Sequence, residues 1–233
     1  MSMPKKVLWT LVGITAVLLV VHLGMQYLNL SLDEKHGQVF ELSNRVDMDD
    51  EVSLPTWFSQ FLLLAVGVTA LVASKFETSP GRRKVWKLVG VVGVLFAIDE
   101  ATSIHEFVLQ SLHLLRFGED APTAVLNAWW IVLPLIGAVG GWFLWWIVRT
   151  LPARTVKLLL LAGIVYLAGA VGIELTSNDF VASPFLHQGV LTGVEEVLEM
   201  LGTILALYAV LDYLERHQPA KLAKLLSALS GRS

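Results

Sequence analysis

Six stretches of this chain are each long and apolar enough to cross a bilayer, and that restricts the fold more than anything else in it. A membrane-spanning helix needs about 20 mostly apolar residues. The runs 7–28, 55–74, 86–112, 125–148, 155–176 and 190–214 meet that requirement. In hydrocarbon every backbone N–H and C=O must be satisfied internally, so runs of this length fold as helices. The expected fold is therefore all-α, a polytopic bundle of six transmembrane helices over residues 1–214. The composition agrees, with 55% hydrophobic residues and a mean hydropathy of +0.65. The first run is too long for the apolar core of a signal peptide and lacks an A-x-A-like cleavage site, so it reads as a retained helix.

Lysine and arginine set the orientation. With the N-terminus inside, Lys5, Lys6, the loop "KFETSPGRRKVWK", Arg149, Arg154, Lys157 and the tail share one side. That side holds 14 of the 17 basic residues, and Lys35, Arg45 and Arg116 lie on the other. The positive-inside rule then predicts N-in, C-in in a bacterial inner membrane. The outer loop 29–54 is acidic, and "DMDDE" within it reads as a solvated loop rather than a calcium loop, because the spacing lacks the required glycine. Residues 215–233 read as a basic amphipathic tail lying on the inner membrane surface. Gly137, Gly141, Gly163, Gly169 and Gly172 read as positions of close helix packing.

Several classes are excluded. No cysteine is present, which removes disulfides, thiolate chemistry and iron–sulfur clusters. No P-loop, dinucleotide fingerprint or basic nucleic-acid stripe occurs.

Against this background the stretch "FAIDEATSIHEF" is anomalous. Besides Asp212 at the inner end of the last span, seven carboxylates fall inside the expected spans: Asp99, Glu100, Glu106, Glu174, Glu195, Glu196 and Glu199. A charge at the bilayer centre costs about 2.5–3.5 kcal/mol on the mildest scale. Seven are tolerated only if they are shielded together, protonated or neutralised by cations. In a continuous third helix, Asp99, Ser103, Glu106, Gln110 and His113 share one face, with Glu100 and His105 flanking it. In the sixth, Glu195, Glu196 and Glu199 recur at i, i+1 and i+4. At 1.5 Å per residue both sets lie at a similar depth in the outer half. His22, Gln26, Ser59 and Gln60 fall in that half too. One polar pocket open to the outer side is expected.

Carboxylates with histidine form the ligand set of zinc, iron or manganese. The expected ligands are Asp99, Glu100, His105, Glu106, Glu174, Glu195 and Glu199. Glu196 is left as general base and Ser103 as a catalytic hydroxyl. The function expected is a metal-dependent hydrolase or di-metal oxidase acting on a lipid or another hydrophobic substrate. A proton- or cation-coupled transporter and a non-catalytic ligand-binding or accessory subunit are the alternatives. Membrane lipids and an oligomeric or partner subunit are the expected partners, and nucleic acid is not. His22 and His187 are weaker candidates for the site.

The signatures "IDEATSIHE" and "GVEEVLEMLGTIL" resemble those of small multi-pass bacterial membrane proteins of unassigned function. The mixture of acids, Ser103 and histidine is also loosely similar to the CREST superfamily of intramembrane metal-dependent lipid hydrolases. That resemblance implies a serine, an aspartate and three histidines in seven helices. This chain offers six spans and no third well-placed histidine, so no residue role is carried over.

Overall fold

The computed structural model describes residues 1–31, 37–48, 50, 52–104, 107, 108, 111, 126–173 and 189–230. These residues are helical almost throughout, and no strand occurs among them. The helices are α1 (Met3–Ser31), α2 (Gly37–Val46), α3 (Leu54–Phe76), α4 (Pro80–Thr102), α5 (Leu126–Thr150), α6 (Ala153–Leu167), α7 (Thr192–His217) and α8 (Pro219–Leu229). Residues Ala168–Ile173 extend α6 as a π-helical segment. A π-helical turn at 189–191 leads into α7. Among the described residues, Met3–Asn29, Leu54–Phe76, Ala153–Gly172 and Gly189–His217 are long and apolar enough to cross a membrane. The chain is a helical membrane protein.

Local chemistry explains the ends. Ser53 caps α3 by accepting from the Thr56 N–H at 3.3 Å, and Pro55 sits in the first turn. Proline also opens α4 and α8, where its missing N–H costs no helical bond. Pro152 stands immediately before α6.

Two findings differ from the sequence expectations. The acidic loop contains a helix, α2, which carries no transmembrane signal because it is short and polar. The third span is not one continuous helix over 86–112. It begins at Pro80 and breaks at Ser103, which adopts the left-handed conformation with φ 46° and ψ 37°. The Phe107 N–H then bonds the Ser103 carbonyl at 3.1 Å, and helical geometry resumes at 104. A left-handed residue changes the direction of the helix, so the 100° periodicity is interrupted at Ser103, and Glu106, Gln110 and His113 lie outside the described residues.

Packing is closest where glycines let backbones touch. A Cβ on Gly67 would lie 2.8 Å from the Val94 nitrogen, and one on Gly93 would lie 2.9 Å from the Gly67 Cα. Helices α3 and α4 therefore meet backbone to backbone, as small residues permit in membranes. Gly169 and Gly202 do the same between α6 and α7. Their Cβ atoms would lie 2.7 Å from the Glu195 carbonyl oxygen and from the Tyr166 Cβ and nitrogen. Gly169 was among the glycines expected at contacts. Gly137, Gly141, Gly163 and Gly172 have no described atom within 4 Å of such a Cβ.

Two apolar cores result. One joins Trp86, Ile147, Val156, Val210, Tyr213 and Leu222 at the end rich in lysine and arginine. The other joins Leu18, Met48, Leu62, Met200 and Ile204 towards the opposite end. The basic end also carries a polar lock. Glu77 is buried and accepts from the Tyr213 hydroxyl and from Gln218 Nε2. Arg83 donates to the Glu77 carbonyl through Nε and Nη2 at 3.2 and 3.0 Å. These contacts tie the α3–α4 connection to the end of α7 and the start of α8.

Candidate functional site

The last turn of α4, the end of α6 and the first turns of α7 carry the candidate carboxylates. Asp99 and Glu100 are half-buried in the final turn of α4, and Glu195, Glu196 and Glu199 are half-buried on α7. His105, Glu106 and Glu174 lie outside the described residues.

Tyr166 brings the two helices' acids to one place. Its side chain hydrogen-bonds Glu199 and interacts electrostatically with Glu100 and Glu196. The sequence reading missed this residue, although one signal was present. Tyr166 is the only tyrosine in its span, three residues before Gly169. The Gly202 contact with the Tyr166 backbone explains its placement. With no Cβ at 202, α6 comes close enough for the Tyr166 hydroxyl to reach one turn back along α7. Thr203 donates to the Glu199 carbonyl at 2.9 Å.

The backbone around the cluster is irregular in three places: the Ser103 break, the π segment at 168–173 and the π turn at 189–191. Such departures concentrate at functional sites, where the surrounding structure holds the strain. The Ser103 N–H bonds the Asp99 carbonyl at 2.7 Å. Thr102 donates to the Ile98 carbonyl at 2.7 Å. Gln60 Nε2, reaching across from α3, donates to the Glu100 carbonyl at 3.4 Å. Gln60 thus adds a donor from α3 at the end of α4.

A non-glycine residue in the left-handed region costs roughly 1–2 kcal/mol. Ser103→Gly is expected to stabilise the fold by about 1 kcal/mol, read as a higher denaturation midpoint, whereas Ser103→Ala keeps the strain. Equal midpoints for the two variants would contradict this account of the break.

His22 is fully buried and both ring nitrogens are engaged. Nε2 meets the Gly189 carbonyl at 3.1 Å, and Nδ1 accepts from the Met48 N–H at 3.1 Å. The Met48 contact places the proton on Nε2. Asp47 Oδ1 lies 3.3 Å from Nδ1, and Gln26 donates to Asp47 Oδ2 at 2.6 Å. His22 therefore bolts α1 to the segment after α2 and to the entry of α7. Asp50 folds in as well, its carbonyl accepting from Thr56 Oγ1 at 2.7 Å. The expectation that "DMDDE" is simply a solvated loop is corrected for Asp47, whose carboxylate meets Gln26 and His22 of α1, while the Asp50 carboxylate accepts from the exposed Val52 N–H.

Among the described residues, no three histidine, aspartate or glutamate side chains stand close enough together to hold a metal ion. Tyr166 is the described residue that interacts with acids of both helices, Glu100 of α4 and Glu196 and Glu199 of α7.

The fold and site together define an all-helical membrane protein with carboxylates gathered beside an intramembrane tyrosine. Residues 4–214 match the family described as "Domain of unknown function (DUF8692)", and the chain belongs to that family. No curated protein and no solved structure matches it.

Proposed function

We propose that the chain is a metal-dependent membrane enzyme acting on a lipid or another hydrophobic substrate. The observation that carries this reading is that Tyr166 interacts with Glu100 of α4 and with Glu196 and Glu199 of α7. Carboxylates from two helices beside one tyrosine are the donor chemistry that a bound cation takes within a membrane. Helical bundles hold zinc, iron or manganese with carboxylates from facing helices. Glu195 and Glu199, one turn apart on α7, would contribute ligands, and His105, Glu106 and Glu174, outside the described residues, would complete the set. Such a metal would supply Lewis acidity or an activated oxygen species. Glu196 would take the proton from a water attacking an ester, amide or phosphate. Ser103, whose strained backbone supports a positioned hydroxyl, would orient the reacting group.

We further propose six crossings, with α4 and its continuation and α5 joining the four candidate spans. The N- and C-termini would face the cytoplasm of a bacterial inner membrane, and the acid layer would face outward. The distribution of 14 of 17 basic residues at one end supports that orientation.

Elemental analysis of the purified protein tests the central claim. Stoichiometric zinc, iron or manganese is expected, falling by at least about tenfold in Glu199→Gln. Metal-free wild-type protein that accepts none on titration would overturn it.

A second reading, cation- or proton-coupled transport, is favoured by one observation. The α4 break at Ser103 makes a discontinuous helix beside intramembrane acids, the arrangement that transporters use for ion sites. Flux across liposomes that Glu199→Gln abolishes, without turnover of any lipid, would select it over the enzyme.

A further inference from the structure

The basic end carries a second polar constellation, independent of the acid layer. Asp212, near the end of α7, is almost fully buried and receives two arginines. Arg154 Nε and Nη2 lie 2.8 and 3.2 Å from its oxygens. Arg216 Nε lies 3.1 and 3.0 Å from the same pair. The aspartate side chain is 6% exposed, while the arginine side chains are 51% and 53% exposed. One carboxylate therefore holds two guanidiniums at the surface and leaves a net positive charge there. Each guanidinium has five N–H donors, more than Asp212 occupies.

The helix ends add donors at the same place. Arg154 is the second residue of α6, and that helix has no side-chain N-cap. Its first-turn N–H groups have no helical acceptor and sit at the positive pole of the helix dipole. The starts of α4 and α8 lie at this end too and are likewise without a side-chain cap. At the opposite end α3 is capped by Ser53. Nearby, Arg149 stacks over the Trp145 ring at 4.7 Å from its centroid, as residues at a headgroup interface do.

We propose that the corner formed by Arg154, Arg216 and the first turn of α6 binds the phosphodiester headgroup of an anionic phospholipid. The paired guanidiniums match phosphate oxygens in geometry. Asp212 cancels one of the two positive charges and leaves the other for the phosphate. The position at the ends of two membrane helices puts the site at headgroup depth. A lipid bridging Arg154 and Arg216 would join α6 to α7 at the end opposite the carboxylates.

The test uses full-length protein in nanodiscs of phosphatidylcholine with and without phosphatidylglycerol, with retained lipid counted by native mass spectrometry. Wild-type protein is expected to keep phosphatidylglycerol in preference to phosphatidylcholine. Arg216→Gln should lower retained phosphatidylglycerol about fivefold, the effect of one basic group near an anionic surface, and leave phosphatidylcholine unchanged. Asp212→Asn frees both guanidiniums from their internal partner, so it should hold phosphatidylglycerol at least as well as wild type. Equal retention by wild type and Arg216→Gln would overturn the proposal, as would loss of phosphatidylglycerol in Asp212→Asn. Complete displacement by millimolar inorganic phosphate would overturn the lipid as the ligand and leave a small-anion site. If Arg216→Gln is not recovered folded, Asp212→Asn and the wild-type lipid preference decide the question.

Discussion

Gly67→Val is expected to remove the folded protein from detergent extracts or to cost about 3 kcal/mol, the upper end for overpacking. A Cβ at this position meets the Val94 nitrogen at 2.8 Å and the Gly90 carbonyl oxygen at 3.0 Å. Neither group can rotate away, because both are backbone atoms inside α4. Relief requires α3 and α4 to separate, and that separation would carry Gly90 and Gly93 out of contact together. Gly163→Ala supplies the comparison, since no described atom lies within 4 Å of the new methyl. A denaturation titration in mixed micelles should show Gly163→Ala near wild type and Gly67→Val far below it. Similar midpoints would mean that the glycine contact does not hold the pair together.

The second large effect belongs to Glu77. Its buried carboxylate accepts from Tyr213 and Gln218, so Glu77→Leu leaves two donors without that acceptor. Stranding buried donors costs roughly 1–3 kcal/mol each, so a loss of about 3 kcal/mol is expected. Glu77→Gln keeps an acceptor oxygen in the same place and should cost less than about 1 kcal/mol. The contrast between the two variants separates hydrogen bonding from side-chain volume. A Glu77→Leu protein as stable as Glu77→Gln would show that the lock carries no stability.

Much of the architecture was legible because hydrocarbon enforces a simple grammar. The runs starting at 125, 155 and 190 match α5, α6 and α7 to within about three residues at their starts, since apolar length and flanking charge decide those boundaries. The break at Ser103 was not legible. Left-handed positions are normally announced by glycine, and here a serine takes the conformation while Gln60, forty residues earlier, supplies a donor to a neighbouring carbonyl. Tyr166 escaped notice for a related reason. Its significance depends on Gly202, thirty-six residues away, letting α6 approach α7. Asp212 and Glu77 escaped because an acid in a basic loop or at a helix end looks solvated until tertiary structure buries it. The acids of α4 and α7 were found because uncompensated charge in an apolar run is conspicuous in any register. What depended on register across residue 103 was the shared face, of which Asp99 and Ser103 alone lie among the described residues.

The lock at the basic end shares no side chain with the acid layer. Glu77, Tyr213, Gln218, Asp212 and their arginines hold α3, α4, α6, α7 and α8 together. The carboxylates about Tyr166 belong to a different set of contacts. The consequence is experimental separability. The acid layer can be rewritten, singly or wholesale, on a chassis whose integrity has its own readout. A neutralised carboxylate that abolishes chemistry while the base stays assembled is then informative about the chemistry alone.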